Sequence, residues 1–165
     1  MIDKKTGEMQ FPEWDFPLSP STTRSGFLKS TLGQKAKPEV LNEPYASWRI
    51  SPSSLYDKWW TAVAYFNGER LYSIMLATWD DKNGPKWNDW SDAGERSLEK
   101  YHSSVLAKVL GHTPYKFSWG TVESLYDNKS ASACIHVKYK ELQDNADDKT
   151  TITANIQNTT EATRL

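Results

Sequence analysis

The chain has 165 residues, with 20 Lys and Arg against 21 Asp and Glu and a net charge of −1. That balance excludes a general nucleic-acid binder, which carries a basic excess, and it excludes a strongly acidic tail protein. No run approaches the roughly 18 apolar residues of a membrane-spanning helix, and the single cysteine, Cys134, leaves neither an internal disulfide nor a multi-cysteine zinc site.

The length suits one domain with a real core, with or without a tail. Met1 to Glu8 has no apolar stretch of the kind a secretory signal needs, so a soluble cytoplasmic protein is the expectation. Eight Trp, eight Tyr and five Phe stand in a chain of mean hydropathy −0.71. So many large rings in a polar chain either build a core from few residues or anchor a binding face. The core role is expected for most of them.

In residues 1–20, Pro12, Pro17 and Pro20 block helix and central strand, while Phe11, Trp14, Phe16 and Leu18 are apolar. An extended arm lying on the body is predicted. Phe27, Leu28 and Leu32 suggest a short helical stretch ended by Gly33. Tyr45 to Ile50 alternates and reads as a strand closed by Ser51-Pro52. Trp59 to Phe66 and Glu69 to Thr78 flank Asn67-Gly68, the strongest short hairpin signal. A two-residue loop there pairs Phe66 with Glu69, Val63 with Tyr72 and Trp59 with Leu76. Neither face of this hairpin is strongly polar, so it is expected centrally in a sheet with both faces at least partly covered.

Ser91 is a good N-cap, with Asp92 and Glu95 in the first turn and Gly111 as the C′ residue. A helix over 92–110 is predicted. Its apolar stripe is Leu98, Tyr101, Val105 and Val109, widened by Leu106 and Leu110, with His102 at the border. Lys116 to Tyr126 and Ala131 to Tyr139 read as a second hairpin, whose return strand alternates with period two. Gly120 within it suggests a bulge or a close backbone approach. From Glu141 onward no aromatic residue occurs, so 141–165 reads as a polar tail with Thr150 to Ile156 able to form one edge strand. The sum is an α+β domain over 1–140, with a mainly antiparallel sheet from two hairpins (β-ββ-α-ββ) packed against one long helix.

Catalytic and metal motifs are sparse. No phosphate-binding Gly-rich loop, H-E-x-x-H or G-x-S-x-G occurs. His102 borders a helix stripe, and His112 follows the helix end, where the dipole favours a cation. Cys134 and His136 lie two apart on one strand face, about 7 Å at 3.4 Å per residue, too far for a nucleophile and base without a third orienting group. The densest segment is Trp79 to Asp92, with Trp79, Asp80, Asp81, Trp87, Asp89, Trp90 and Asp92. Its spacing does not fit a calcium loop, and nothing sets the carboxylate separation that glycoside hydrolysis requires. Asp residues that cap helix and loop beneath core Trp rings account for much of it. A set of aromatic anchors ringed by acids, suited to a basic partner, is the binding interpretation.

Several pieces occur together: Trp48-Arg49, the Asn67-Gly68 hairpin, Trp87-Asn88-Asp89-Trp90-Ser91 opening the helix, Glu99 and His102 on it, Trp119-Gly120, and Tyr126-Asp127. Across about residues 14–139 the set resembles small cytoplasmic bacterial proteins of unassigned function, of the immunity type paired with polymorphic toxins of type VI or contact-dependent secretion. The resemblance implies a binding protein that neutralises a cognate toxin domain by tight complex formation, with no catalysis of its own. It carries over no residue roles. On this reading Trp79, Asp80, Asp81, Trp87, Asp89, Trp90 and Asp92 face a protein partner with a basic active site, and no cofactor, metal, nucleic acid or membrane is involved. The alternatives are a small enzyme acting on a small molecule or glycan through Asp80, Asp89, His102 and His136, and an adaptor or chaperone for a secreted effector.

Overall fold

The computed structural model describes residues 1–84 and 90–141. Two short helices, α1 (Arg24–Lys29) and α2 (Thr31–Lys35), precede strands β1 (Lys37–Asn42), β2 (Tyr45–Leu55), β3 (Lys58–Asn67) and β4 (Arg70–Trp79). The long helix α3 (Asp92–Leu110) follows, and then β5 (Gly120–Asp127) and β6 (Ser132–Tyr139). The described strands form one six-stranded antiparallel sheet in the order β1-β2-β3-β4-β6-β5. The architecture is α+β. Beyond Glu141 the expected tail, with its edge strand at Thr150 to Ile156, lies outside the described residues, as do Trp87 and Asp89.

Local chemistry explains the elements. Ser91 Oγ accepts from the Gly94 N–H at 3.1 Å and starts α3, while Gly111, at φ 89°, ends it. Ser30 does double duty: its backbone N–H caps α1, and its hydroxyl accepts from the Gly33 N–H at 3.0 Å to begin α2. That second cap carries the helix through Gly33 rather than ending it there. Strand β2 also runs past Ser51-Pro52, because the register slips between Ile50 and Ser53. A bulge is where a sheet tolerates proline. Strand β1 had no alternating pattern to announce it: all six of its residues are exposed, as an edge strand's can be.

The central hairpin forms with a different register from the one expected. Asn67 pairs with Arg70, so Gly68 and Glu69 make the loop, and a bulge follows between Tyr65 and Phe66. Of these two loop residues only Gly68, at φ 56°, takes the left-handed conformation. The slip moves Ile74 and Leu76 opposite Ala64 and Ala62, and Met75 opposite Val63.

One face of the sheet is covered. Phe27 packs on Trp48 and Phe66, Phe11 on Trp60, and Tyr101 and His102 of α3 on Trp60. The N-terminal arm is stitched down by Met9–Leu18 pairing and by two long-range bonds: Trp119 Nε1 donates to the Lys4 carbonyl at 3.1 Å, and Tyr139 OH to the Gly7 carbonyl at 2.9 Å. The α3 stripe is rotated from the one expected. His102, Val105, Leu106 and Leu110 are buried, so His102 sits at its centre and not its border.

The opposite face carries no described helix. Its central strands present Trp59, Val63 and Tyr65 from β3 and Met75, Ala77 and Trp79 from β4, all buried or half-buried. Tyr45 and Tyr72 extend this surface, with ring centroids 6.4 Å apart, and Tyr65 lies 6.4 Å from Tyr72.

Gly120 has no room for a side chain, since a Cβ there would stand 2.1 Å from the Lys138 carbonyl oxygen, whereas at Gly68 nothing lies within 4 Å. Gly120→Ala is therefore expected to cost about 3 kcal/mol by overpacking against backbone, and Gly68→Ala only about 1 kcal/mol of left-handed strain. Urea midpoints of the two variants check the order; equal losses would contradict the close approach at Gly120.

Candidate functional site

The sequence points to the stretch that leaves β4 and enters α3, and the structure gathers part of it. Trp79 closes β4 directly opposite Trp59. Asp80 pairs with Lys58, whose ammonium also lies 5.5 Å from the Tyr101 ring centre. Asp81 closes its own turn: its carboxylate accepts from the Asn83 backbone N–H at 2.9 Å, and its carbonyl accepts from the Gly84 N–H at 3.0 Å. Trp90 is 53% exposed, with its indole N–H held by the Ala131 carbonyl at 2.9 Å. Between these groups and the first turns of α3 lies a cleft of about 350 Å3, lined by Trp79, Asp80, Asp81, Trp90, Glu95 and Leu98 among others.

Asp92 is not among the residues lining that cleft. Its carboxylate accepts from Tyr126 OH at 2.7 Å and from Arg96 Nε at 2.8 Å, and the Arg96 guanidinium lies 4.5 Å from the Tyr126 ring centre. Those bonds hold the Asp92 carboxyl below its ordinary range. Of the expected partner-facing set, Trp79, Asp80, Asp81 and Trp90 thus share one cleft, Asp92 belongs to a separate cluster, and Trp87 and Asp89 lie outside the described residues. The cleft combines two indoles with three carboxylates and one ammonium, so a cationic side chain is its natural visitor.

The groups considered for catalysis do not converge. His102 is fully buried under α3, with Nε2 2.8 Å from Thr78 Oγ1. Burial, reinforced by the nearby Lys58 charge, pushes its pKa down to about 4. His136 lies on the open face, 2.6 Å from Ser73 Oγ. The Ser73 hydroxyl also donates to the Val137 carbonyl at 3.0 Å. A hydroxyl has one proton, so His136 Nε2 is the donor to Ser73 and is not placed as its base. Cys134 is buried, and burial raises its thiol to about 11, the reverse of an activated nucleophile. Asp80 faces Lys58 at the strand ends, and Asp89 lies outside the described residues. Among the described residues no three His, Cys, Asp or Glu side chains cluster as a metal site would need, and no helix is long and apolar enough to cross a membrane.

The sequence offered no sign of the Ser73–His136 contact, because the residues are far apart in the chain. The open-face aromatic surface did have a sign: a hairpin without a polar face.

Two outcomes follow from the buried groups. His102 has its folded pKa below the unfolded value of 6.5, so the unfolded state binds more protons as pH falls from about 6.5 to about 4. Stability is full above that window and drops by about 3 kcal/mol across it, with His136, also lowered, acting in the same direction. In His102→Gln, denaturation curves measured from pH 7 to 4 should show a flatter slope. Cys134 should react with Ellman's reagent only at the rate of unfolding; fast labelling of the native protein would contradict its burial.

No family model matches the chain. No curated protein matches it either. Among solved structures it is similar to a chain of the complex of Rhs1-CT with its cognate immunity protein RhsI1, with a TM-score of 0.54, 17% identity, and coverage of 94% of this chain and 96% of that one. The likeness extends over nearly the whole of both chains and is a likeness of fold.

Proposed function

We propose that this chain is an immunity-type binding protein, which neutralises a cognate antibacterial toxin domain by forming a tight complex and performs no catalysis itself. The observation that carries this reading is the whole-length likeness of fold to a chain of a toxin–immunity complex. The scattered placement of the groups considered for catalysis supports it. The binding unit is the α+β domain of residues 1–140, acting in the cytoplasm of a bacterium exposed to toxins of type VI or contact-dependent secretion.

The cleft beside α3 supplies the contact chemistry. Trp79 and Trp90 are rigid rings able to anchor a partner, and Asp80, Asp81 and Glu95 set a negative field around them. A toxin that acts on nucleic acid or a nucleotide carries a basic active site, and a basic loop set between these indoles would be held by cation–π contact and carboxylates together. An interface of standard size, about 1,600 Å2 in total, is within reach of a domain this size.

The test begins with capture of the tagged full chain from its native cell and identification of what co-elutes. One stoichiometric partner, whose C-terminal domain arrests growth alone and not with this chain, is the expected result. Recovery of no such partner defeats the reading. With that partner, Asp80→Lys/Asp81→Lys should slow association about tenfold at low salt and flatten its salt dependence. Trp90→Ala should cost about 2 kcal/mol of affinity. If neither variant alters binding, the partner uses another face.

A further inference from the structure

We propose that the open face of the sheet is the contact surface of a homodimer, packed face to face against a second copy of this chain. The two central strands are largely apolar on both sides. On the covered side β3 and β4 present Trp60, Ala62, Ala64, Phe66, Ile74 and Leu76. On the other, β3 presents Trp59, Thr61, Val63 and Tyr65 and β4 presents Ser73, Met75, Ala77 and Trp79; none of these eight is charged, and the two hydroxyls are satisfied within the sheet, Thr61 by the Ile50 carbonyl and Ser73 by the Val137 carbonyl. A sheet with one solvated face shows polar residues there; apolar residues on both faces belong to strands covered on both. Among the described residues, α1, α2, α3 and the N-terminal arm all pack on the first side, and on the second only Lys82, over Trp59 at one end, reaches across.

Charge on this face lies at its borders: at one end Lys82 sits over Trp59, 5.4 Å from its ring centre, and at the other Arg70 opens β4 opposite Asn67. Arg49 of β2 pairs with Glu39 of β1. Across the sheet, Lys138 and Glu123 border His136 on β6 and β5. An uncharged centre rich in Tyr, Trp and Met within a rim of charge is the anatomy of a protein interface.

Three arguments select a second copy. First, the rim carries both signs, so the patch can face itself without a net like-charge clash, and it offers no sign preference to a strongly basic partner. Second, the size fits: six strands at about 4.8 Å spacing and about 8 residues at 3.4 Å span roughly 24 by 27 Å, or about 650 Å2, close to what each side of a stable interface contributes. Third, residues 142–165 of the same chain contain no aromatic residue, and their large aliphatics are only Leu142, Ile152, Ile156 and Leu165. Such a composition is a poor match for a surface built from indole and phenol rings.

The full-length protein should sediment as a dimer at micromolar concentration. Met75→Arg and, separately, Tyr72→Arg should weaken the dimer by about tenfold or more, because each sets an unpaired charge in the apolar contact. Both side chains are only half-buried in the single chain, so far-UV circular dichroism and the melting profile of the isolated subunits should stay native. Asp80→Lys/Asp81→Lys, at the strand ends, should leave the dimer unchanged. A wild-type monomer at 100 µM (about 10⁻⁴ M, where even a weak dimer forms) overturns the proposal. So does a dimer that both arginine variants leave intact. The experiment needs no toxin, so its outcome is independent of whether a toxin partner exists.

Discussion

The fold hangs on Trp60. It is buried near the start of β3, and its indole N–H donates to the Leu55 carbonyl at 2.8 Å, across the β2–β3 turn. Phe11 of the N-terminal arm lies 6.0 Å from it, and Tyr101 and His102 of α3 lie 6.2 and 5.6 Å away. The arm and the long helix, more than 80 residues apart in sequence, therefore meet on one ring. Burying an indole contributes several kcal/mol only if its N–H keeps a partner. The Leu55 carbonyl provides that partner without interrupting the apolar contact. The bulge at Ser51-Pro52 leaves Ser53 opposite Trp60, a small residue beside a large one.

The sequence revealed the elements that obey one local rule apiece. Helix α3 was legible to the residue because Ser91 and Gly111 mark both ends and its apolar spacing is regular. The central hairpin was legible as a hairpin because Asn-Gly punctuates it. What escaped were consequences of tertiary contact. The hairpin register depends on a bulge near Tyr65 that no propensity encodes, and one residue of slip moves a whole strand to the other face. Strand β1 escaped because its six exposed residues bury nothing that could alternate. His102 reads as a border residue of the stripe, yet as a neutral ring bonded to Thr78 and packed on Trp60 it behaves as an aromatic core residue.

For the candidate site the legible part was composition, and the illegible part was direction. Trp79, Asp80, Asp81, Trp90 and Asp92 read alike as rings and acids in one segment. Their roles separate only when the partners are known. Asp92 is claimed by Arg96 and Tyr126, three groups that tie the start of α3 to β5. Asp80 meets Lys58 at the surface, where an exposed ion pair contributes little to stability. A carboxylate engaged by two fixed donors resists being recruited by a partner. One held by a single flexible lysine can exchange that lysine for another cation at small cost. The same physics that makes Asp80 weak as a structural residue makes it available as a binding one.

The two proposed surfaces share Trp79 at the end of β4 and otherwise differ in kind, and the difference follows from where the sheet puts them. Side chains in the middle of β3 and β4 have neighbours on both flanks, so their rings lie against one another and lose little freedom when a second surface arrives. That suits a permanent contact driven by apolar area, with the Tyr72 ring centre already 6.4 Å from both Tyr45 and Tyr65. The strand ends have no such flanks. There the chain turns through Asp81 to Gly84, and charge is carried by solvated carboxylates. Long-range attraction operates best from that position, because exposed charges steer an encounter before any contact forms. A chain that must find one partner quickly and hold another continuously would place its acids at the strand ends and its rings at the sheet centre.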